Sequence, residues 1–339
     1  MRGIVFLGNC EVELATVPDP TPGLGEVVVE IKASGMCGSD LHFYRGASNA
    51  DAAPVIRGHE PCGVVVAVGP GVTNPHAYVG SRVMVHHYHG CTGCEDCHAG
   101  WPQMCRVTQV TVYGTDAHGA HAPYMKVPAG TLVPLDERLS FAAGAAISCG
   151  TGTAWGAFER MGLSGRDTIA IFGQGPVGLS ATLLAKAQGA RVIALDIDEN
   201  RLAVAKAYGA DFVVNSRNEG VPDLIRDLTG GGATMALETA GAKKAGQDAL
   251  QSVGPWGTVC LVGLGAELNF SLGAMLRKQV RILTSWTMSL QAQKACADFV
   301  IERDVDLDSI FTDRWALDQA DEAYRSFNNQ SGGKGVFLF

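Results

Sequence analysis

Charge is scarce in this chain. Only 18% of its 339 residues are Asp, Glu, Lys or Arg, and Lys plus Arg (26) are outnumbered by Asp plus Glu (34), which leaves a formal charge of −8. A field of that sign repels phosphate backbones and anionic lipid, so no nucleic acid and no membrane is an expected partner. Long apolar runs are missing as well, because Gly and charged residues break every candidate well short of the ~18 residues of a membrane span. The run Ile4 to Leu7 meets Glu11 and Glu13 almost at once and is too short for a secretory signal. A cytoplasmic location is therefore expected, with the ten cysteines acting as thiols or metal ligands rather than as disulfides.

Histidine is absent after His121, and eight of the ten cysteines precede Gly150. The first 149 residues are thus rich in metal-ligand side chains, whereas residues 150 to 282 hold one Cys, no His and much Gly, Ala and Val. At 47% hydrophobic residues there is apolar material for two cores, and the length predicts two domains.

In the second half, the apolar run Thr168 to Phe172 is followed by Gly173-Gln174-Gly175-Pro176-Val177-Gly178, then by helix formers with no breaker until Gly189. A second apolar run, Arg191 to Leu195, stops at Asp196, 23 residues beyond the first Gly. Strand, Gly-rich turn, helix, strand and terminal acid in that register predict a dinucleotide site. Gly173 serves the tight turn, Gly175 lets backbone approach a pyrophosphate, and Gly178 allows close helix packing. Asp196 is expected to accept from a ribose 2′-OH, which favours NAD over NADP; Arg201 and Arg191 leave the phosphorylated cofactor open. An ordinary helix N-cap is the alternative for Asp196. Further runs at Phe212 to Val214, Thr234 to Glu238, Thr258 to Val262 and Val280 to Thr284 complete six expected strands of a doubly wound sheet.

In the first half, Cys91, Cys94, Cys97 and Cys105 form Cys-x2-Cys-x2-Cys-x7-Cys in a Gly-rich, weakly apolar segment. Four thiolates there suit a closed structural zinc site. The iron-sulfur alternative is disfavoured, since that run carries three residues and a following Pro where this one has seven and then Arg106. Three further segments, around Cys37 to His42, Gly58 to Gly63 and Ala146 to Thr153, each have bland explanations when taken singly.

Together these segments resemble the zinc-dependent medium-chain alcohol dehydrogenases: Cys-Gly-Ser-Asp-x-His at 37 to 42, Gly-His-Glu at 58 to 60, the four-Cys lobe at 91 to 105, Cys-Gly at 149 and 150, and the nucleotide fingerprint at 173 to 178. The resemblance implies a GroES-like β-barrel catalytic domain, residues 1–149 and 287–339, and an NAD-binding Rossmann domain, residues 150–286. It implies catalytic zinc on Cys37, His59 and Cys149, with Glu60 as a carboxylate near the metal that is either an alternate ligand or a buried partner. Asp40 is implied to orient the ligand imidazole, or else to cap a turn. Ser39 and His42 resemble a proton relay, and Thr153 and Val177 the residues that press the nicotinamide into place. His87, Trp286 and Leu264 are implied to lie near substrate and cofactor, and the cluster His86, His87, His89 and His98 is read as loop and pocket-mouth residues, with an adventitious metal site as the alternative. Cys10, Cys62, Cys260 and Cys296 are expected in apolar packing. The implied activity is oxidation of a primary or secondary alcohol or small diol by NAD, with two zinc ions per chain and a homotetramer or dimer. Sorbitol-type and threonine 3-dehydrogenases are the enzymatic alternatives, and a non-enzymatic zinc or nucleotide-binding protein the remote one. After Trp286, helices Leu290 to Arg303 and Leu317 to Phe327 and a last strand Gly335 to Phe339 are expected to rejoin the first domain.

Overall fold

The computed structural model describes residues 1–47, 54–329 and 332–339. The chain forms two compact units: Met1–Gly152 with Met288–Phe339, and Thr153–Thr287.

The first unit is built around strand Glu26–Gly35. This strand pairs with Pro61–Val68 on one side and Lys334–Leu338 on the other, and also with Tyr124–Pro128. The sheet continues outward through Arg82–Val85 and Leu132–Pro134 at one end and Phe311–Trp315 at the other. Val27, Val29, Ile31, Val65, Val83, Val85, Met125 and Val127 fill its interior. The register matters more than the strand count, because Ser34 lies opposite Pro61 and Gly35 opposite Val336. Three chain segments far apart in sequence therefore end side by side: Met36-Cys37, His59-Glu60 and Lys334-Gly335. This is the GroES-like barrel.

The terminal strand joins the first unit as expected, starting one residue earlier, and Leu290–Glu302 and Ala320–Asn328 are helical. Strand Phe311–Trp315 is an addition, since its sequence, Phe-Thr-Asp-Arg-Trp, has too few apolar residues to stand out. Cys62, Cys260 and Cys296 are buried, but Cys10 is exposed. It sits with Asn9 at positive φ (63° and 52°) in the turn joining Arg2–Gly8 to Glu11–Thr16, where a tight hairpin turns its side chain to solvent.

The second unit has six parallel strands in the spatial order Phe212–Asn215, Arg191–Asp196, Thr168–Phe172, Ala233–Glu238, Val253–Leu261, Arg281–Thr284. Numbered along the chain this is 3-2-1-4-5-6, the Rossmann order, whose direction reverses beside Thr168–Phe172. Its inner strands read as continuous apolar runs because both faces are covered, with Phe172, Ile193, Leu195, Ala236 and Val259 in the core, whereas the edge strand Arg281–Thr284 is largely exposed.

Candidate active site and metal centres

Gly173 leaves the end of Thr168–Phe172 at φ 96°, and a Cβ there would stand 2.9 Å from Ala240. A Cβ on Gly178 would collide with the Gly173 carbonyl oxygen, whereas one on Gly175 would meet nothing within 4 Å. The open space is thus at the helix N-terminus. Helix Pro176–Ala187 begins with Pro at its first turn and has no side-chain cap, so its free N–H groups face that space. A pyrophosphate fits this cradle by charge and by room.

Asp196 has a double engagement. Its carboxylate accepts from the backbone N–H of Gln174 (2.5 Å), Ile197 (2.7 Å) and Asp198 (3.0 Å), which ties the Gly-rich turn to the next strand. Three of about four lone-pair positions are used, leaving one for a ribose hydroxyl. The N-cap role belongs instead to Asp198, which accepts from Asn200 and Arg201. Arg201 Nη1 is 4.0 Å from the Asp196 carboxylate. Val177 is half-buried and Thr153 buried, while Leu264 and Trp286 are 69% and 55% exposed and belong to neither core.

In the first unit, the ligand atoms of Cys91, Cys94, Cys97 and Cys105 all lie within 4.8 Å of one another. The Cys91–Cys97 and Cys94–Cys105 sulfurs are 4.0 and 3.9 Å apart. Sulfurs at ~2.3 Å from a tetrahedral zinc stand ~3.8 Å apart, so the set fits that ion. Backbone N–H groups of Thr108, Cys91 and Val107 pull the Cys105 thiol down to about 5, whereas burial and Cys94 push Cys97 up to about 12. One thiolate is therefore already favoured before a cation arrives.

The second set is Cys37, His59, Glu60 and Cys149, again within 4.8 Å. Cys37 and Cys149 sulfurs are 3.9 Å apart. Hydrogen bonding from Cys149 holds the Cys37 thiol well below its usual value, and that bond together with burial drives Cys149 well above it. Two sulfurs so close do not both ionise without a cation between them, and a divalent one fits this donor set. His59 Nδ1 lies 3.0 Å from Asp40 Oδ1, while Asp40 Oδ2 accepts from the Cys37 N–H at 2.9 Å. Asp40 thus both orients the imidazole and closes the turn that follows Cys37. Burial opposes a charge on His59, but Asp40 and Cys37 outweigh it and raise its pKa well above the ordinary value. Ser39 Oγ is 3.2 Å from both Cys37 Sγ and His59 Nε2. His42, one turn along helix Asp40–Arg45, is exposed.

Glu60 is fully buried, and its carboxylate meets the Nζ of Lys334 at 2.5 Å. Burial pushes the Glu60 carboxyl up to about 8, against the pull of that ammonium. Lys334 also donates to the Met36 carbonyl oxygen (3.1 Å) and is 1% exposed. The sequence reading missed Lys334, because a single Lys opening a strand reads as a solvated residue. The one available signal is its position among Gly332, Gly333 and Gly335 before an apolar run.

The histidine cluster needs correction. His86 and His87 are buried, His89 is partly buried and only His98 is exposed, so two of the four are interior groups rather than mouth residues. The strand Arg82–Val85 carries them straight inward from the core. The His87 ring lies 5.1 Å from that of His59, and burial holds it well below the usual histidine range. Its Nδ1 has no hydrogen-bond partner among the described residues.

Residues 23–137 match the alcohol dehydrogenase GroES-like domain and residues 176–302 the zinc-binding dehydrogenase domain. An uncharacterized zinc-type alcohol dehydrogenase-like protein of Escherichia coli, YphC, is 38% identical over 98% of this chain and 97% of its own length. An alcohol dehydrogenase of Geobacillus stearothermophilus is 36% identical over 76% of this chain and 75% of its own. The crystal structure of an NAD-dependent alcohol dehydrogenase superposes with a TM-score of 0.88 at 30% identity, covering all of both chains. With two thiols, an imidazole and a buried carboxyl gathered in one fold and a Gly-rich turn in the other, this chain is an oxidoreductase and belongs to the zinc-dependent medium-chain alcohol dehydrogenase family.

Proposed function

We propose that the protein oxidises a primary or secondary alcohol, or a small vicinal diol, to the aldehyde or ketone with NAD, reversibly. The observation that carries this reading is the convergence of Cys37, His59 and Cys149 with the Ser39 hydroxyl 3.2 Å from two of them. Residues 1–149 and 287–339 would carry the reaction, with zinc on that set and on the four-Cys lobe, and residues 150–286 would bind NAD. When bound, a divalent cation supplies Lewis acidity toward a hydroxyl, and a nicotinamide supplies the hydride acceptor.

The chain's own residues do the rest. Asp40 keeps the His59 proton on Nδ1, leaving Nε2 free to coordinate. Ser39 Oγ takes the substrate's hydroxyl proton and passes it outward toward His42, which is exposed and able to release it. Glu60, paired with Lys334, places a second carboxylate beside the ligands. Thr153 and Val177 are assigned to the nicotinamide, Gly173, Gly175 and Gly178 to the pyrophosphate, and Asp196 to the ribose, where its charge disfavours a 2′-phosphate. The buried Nδ1 of His87 accepts from a second substrate hydroxyl, and this polar group is what favours a diol over a purely apolar alcohol. Sorbitol carries such a second hydroxyl, whereas threonine has a single hydroxyl and would offer its ammonium group instead. Leu264 and Trp286 remain assigned to the cofactor and substrate surfaces.

The test is absorbance of reduced nicotinamide across primary, secondary and polyhydroxy alcohols with NAD and NADP, before and after chelation. Small diols and secondary alcohols with NAD should give the largest signal, and chelation should remove it until zinc is restored. Activity that survives complete zinc removal would refute the reading. We also propose a homo-oligomer, a tetramer or dimer, in which the outermost strand Arg281–Thr284 is paired with a second copy, because its edge is unpaired in the described sheet and Ile282 is exposed. Light scattering at micromolar concentration should give at least twice the chain mass; a monomer would dispose of that assembly.

A further inference from the structure

Behind the His59–Asp40 pair lies a buried row of polar groups that the reaction as outlined does not use. Ser34 Oγ is 2.8 Å from His121 Nδ1, His121 Nε2 is 2.6 Å from the Tyr324 hydroxyl, and that hydroxyl is 3.5 Å from Asp40 Oδ2. Ser34, His121 and Tyr324 are each fully buried, and Asp40 is 3% exposed. A polar group withdrawn this far from water is retained at a cost unless its partners satisfy it, so the alignment requires an account.

The hydrogens along the row can be assigned. Burial pushes the His121 imidazole down to about 4, so the ring is neutral and carries a single N–H. Asp40 accepts from the Cys37 N–H and pairs with His59 Nδ1, which marks it as the anionic end. With the proton on His121 Nε2, Ser34 donates to Nδ1, Nε2–H donates to the Tyr324 oxygen, and the Tyr324 O–H donates to Asp40. The opposite tautomer would turn a phenolic lone pair toward the carboxylate and leave the negative charge with one donor fewer. The 3.5 Å step is the longest of the row, so Tyr324 is where its strength is decided. His121 is held in place by packing, since a Cβ on Gly58 would strike its Nδ1 and its ring abuts Phe337 at 4.8 Å.

We propose that Ser34, His121 and Tyr324 form a one-directional hydrogen-bond row that positions Asp40, and through it fixes the tautomer and direction of His59 as a metal ligand. They are positioning residues, because none touches the reacting atoms. The inference rests on His59 serving as a ligand of the three-residue set.

The test uses the zinc-loaded protein and follows zinc release to a chromophoric chelator. Two phases are expected, one for each site, and Asp40→Asn should accelerate only the phase of the Cys37–His59–Cys149 set. Tyr324→Phe keeps the ring against Phe6 and Tyr44, at 4.7 and 5.5 Å, and removes only the donor. It should accelerate the same phase about 3- to 10-fold, below the ~10–100-fold reserved for a direct outer partner of a ligand. Tyr324→Phe with His121→Phe removes donor and acceptor together, so no buried N–H is orphaned and only the Ser34 hydroxyl loses its partner, and should act alike. In the Asp40→Asn background neither change should add anything. Unchanged release in the paired variant, or an equal acceleration with and without Asp40, would overturn the row and reduce it to core packing. Zinc found in the four-Cys lobe alone would instead overturn the ligand assignment on which the row depends.

Discussion

Substituting Ser39 by alanine should lower turnover by about 10²- to 10⁴-fold while both zinc ions remain bound, the range that a positioned proton-transfer group contributes. The magnitude follows from where the hydroxyl stands. Ser39 Oγ is 3.2 Å from Cys37 Sγ and 3.2 Å from His59 Nε2, so any substrate oxygen that reaches these ligands also reaches Ser39. The proton a substrate must lose has no other hydroxyl so placed among the described residues named at the set. Asp40 is committed to His59 and Cys37, and Glu60 to Lys334. Since Ser39 donates to a sulfur rather than forming part of the core, its removal should leave metal content and unfolding midpoint unchanged. Metal analysis and steady-state rates on the same preparation decide the matter. Equal turnover in the variant would reject the relay, and loss of one zinc would move Ser39 from proton transfer to holding the site together.

The second large effect is on stability. Lys334→Met should destabilise the protein by up to about 3–5 kcal/mol at alkaline pH, where Glu60 is ionised and the change removes one partner of a buried ion pair. Lys334 and Glu60 are 1% and 0% exposed, so no water replaces the lost ammonium. The carboxyl answers by keeping a proton, for which its environment already prepares it by raising its pKa to about 8. A carboxyl whose folded pKa is raised above its unfolded value favours the fold most at low pH and loses that contribution as pH rises through the folded value. The deficit of Lys334→Met should accordingly widen from pH 6 to pH 9. Glu60→Gln combined with Lys334→Met removes both charges and should recover most of the loss. Urea unfolding of the three proteins measures this, and a single variant as stable as the parent would show that the pair carries no weight.

The two units were unequally legible in the sequence. All six parallel strands of the second unit were readable within a few residues, the inner ones because strands covered on both faces appear as uninterrupted apolar runs and the exposed edge strand Arg281–Thr284 because its run Val280 to Thr284 is still mostly apolar. The four-Cys lobe was equally plain, its ligands falling within fifteen residues. The other ligands were not derivable from spacing: Cys37, His59 and Cys149 have no common period, and only the resemblance joined them. Strand register, Ser34 opposite Pro61, sets Cys37 beside His59, and the Ser148 hydroxyl, donating to the Pro61 carbonyl oxygen, holds Cys149 against them; register is a property of pairing rather than of any one segment. Lys334, His121 and Tyr324 escaped notice for the complementary reason. Each is a polar residue inside an otherwise ordinary element, and what distinguishes it is a partner as many as 298 positions away. The histidine pair His86 and His87 misled in the opposite sense, since clustered imidazoles beside a Gly-rich loop read as surface groups although the preceding strand directs them inward.

The way the two ligand sets are spread along the chain has a consequence for biosynthesis. The lobe between Cys91 and Cys105 closes a short loop, so it can capture an ion while the remainder is still being translated. The Cys37–His59–Cys149 cradle spans more than a hundred residues, and the Lys334 that backs its Glu60 is brought in by strand Lys334–Leu338 pairing with Glu26–Gly35. The four-Cys set can thus form from one local segment, whereas the Cys37–His59–Cys149 set forms only with long-range strand pairing.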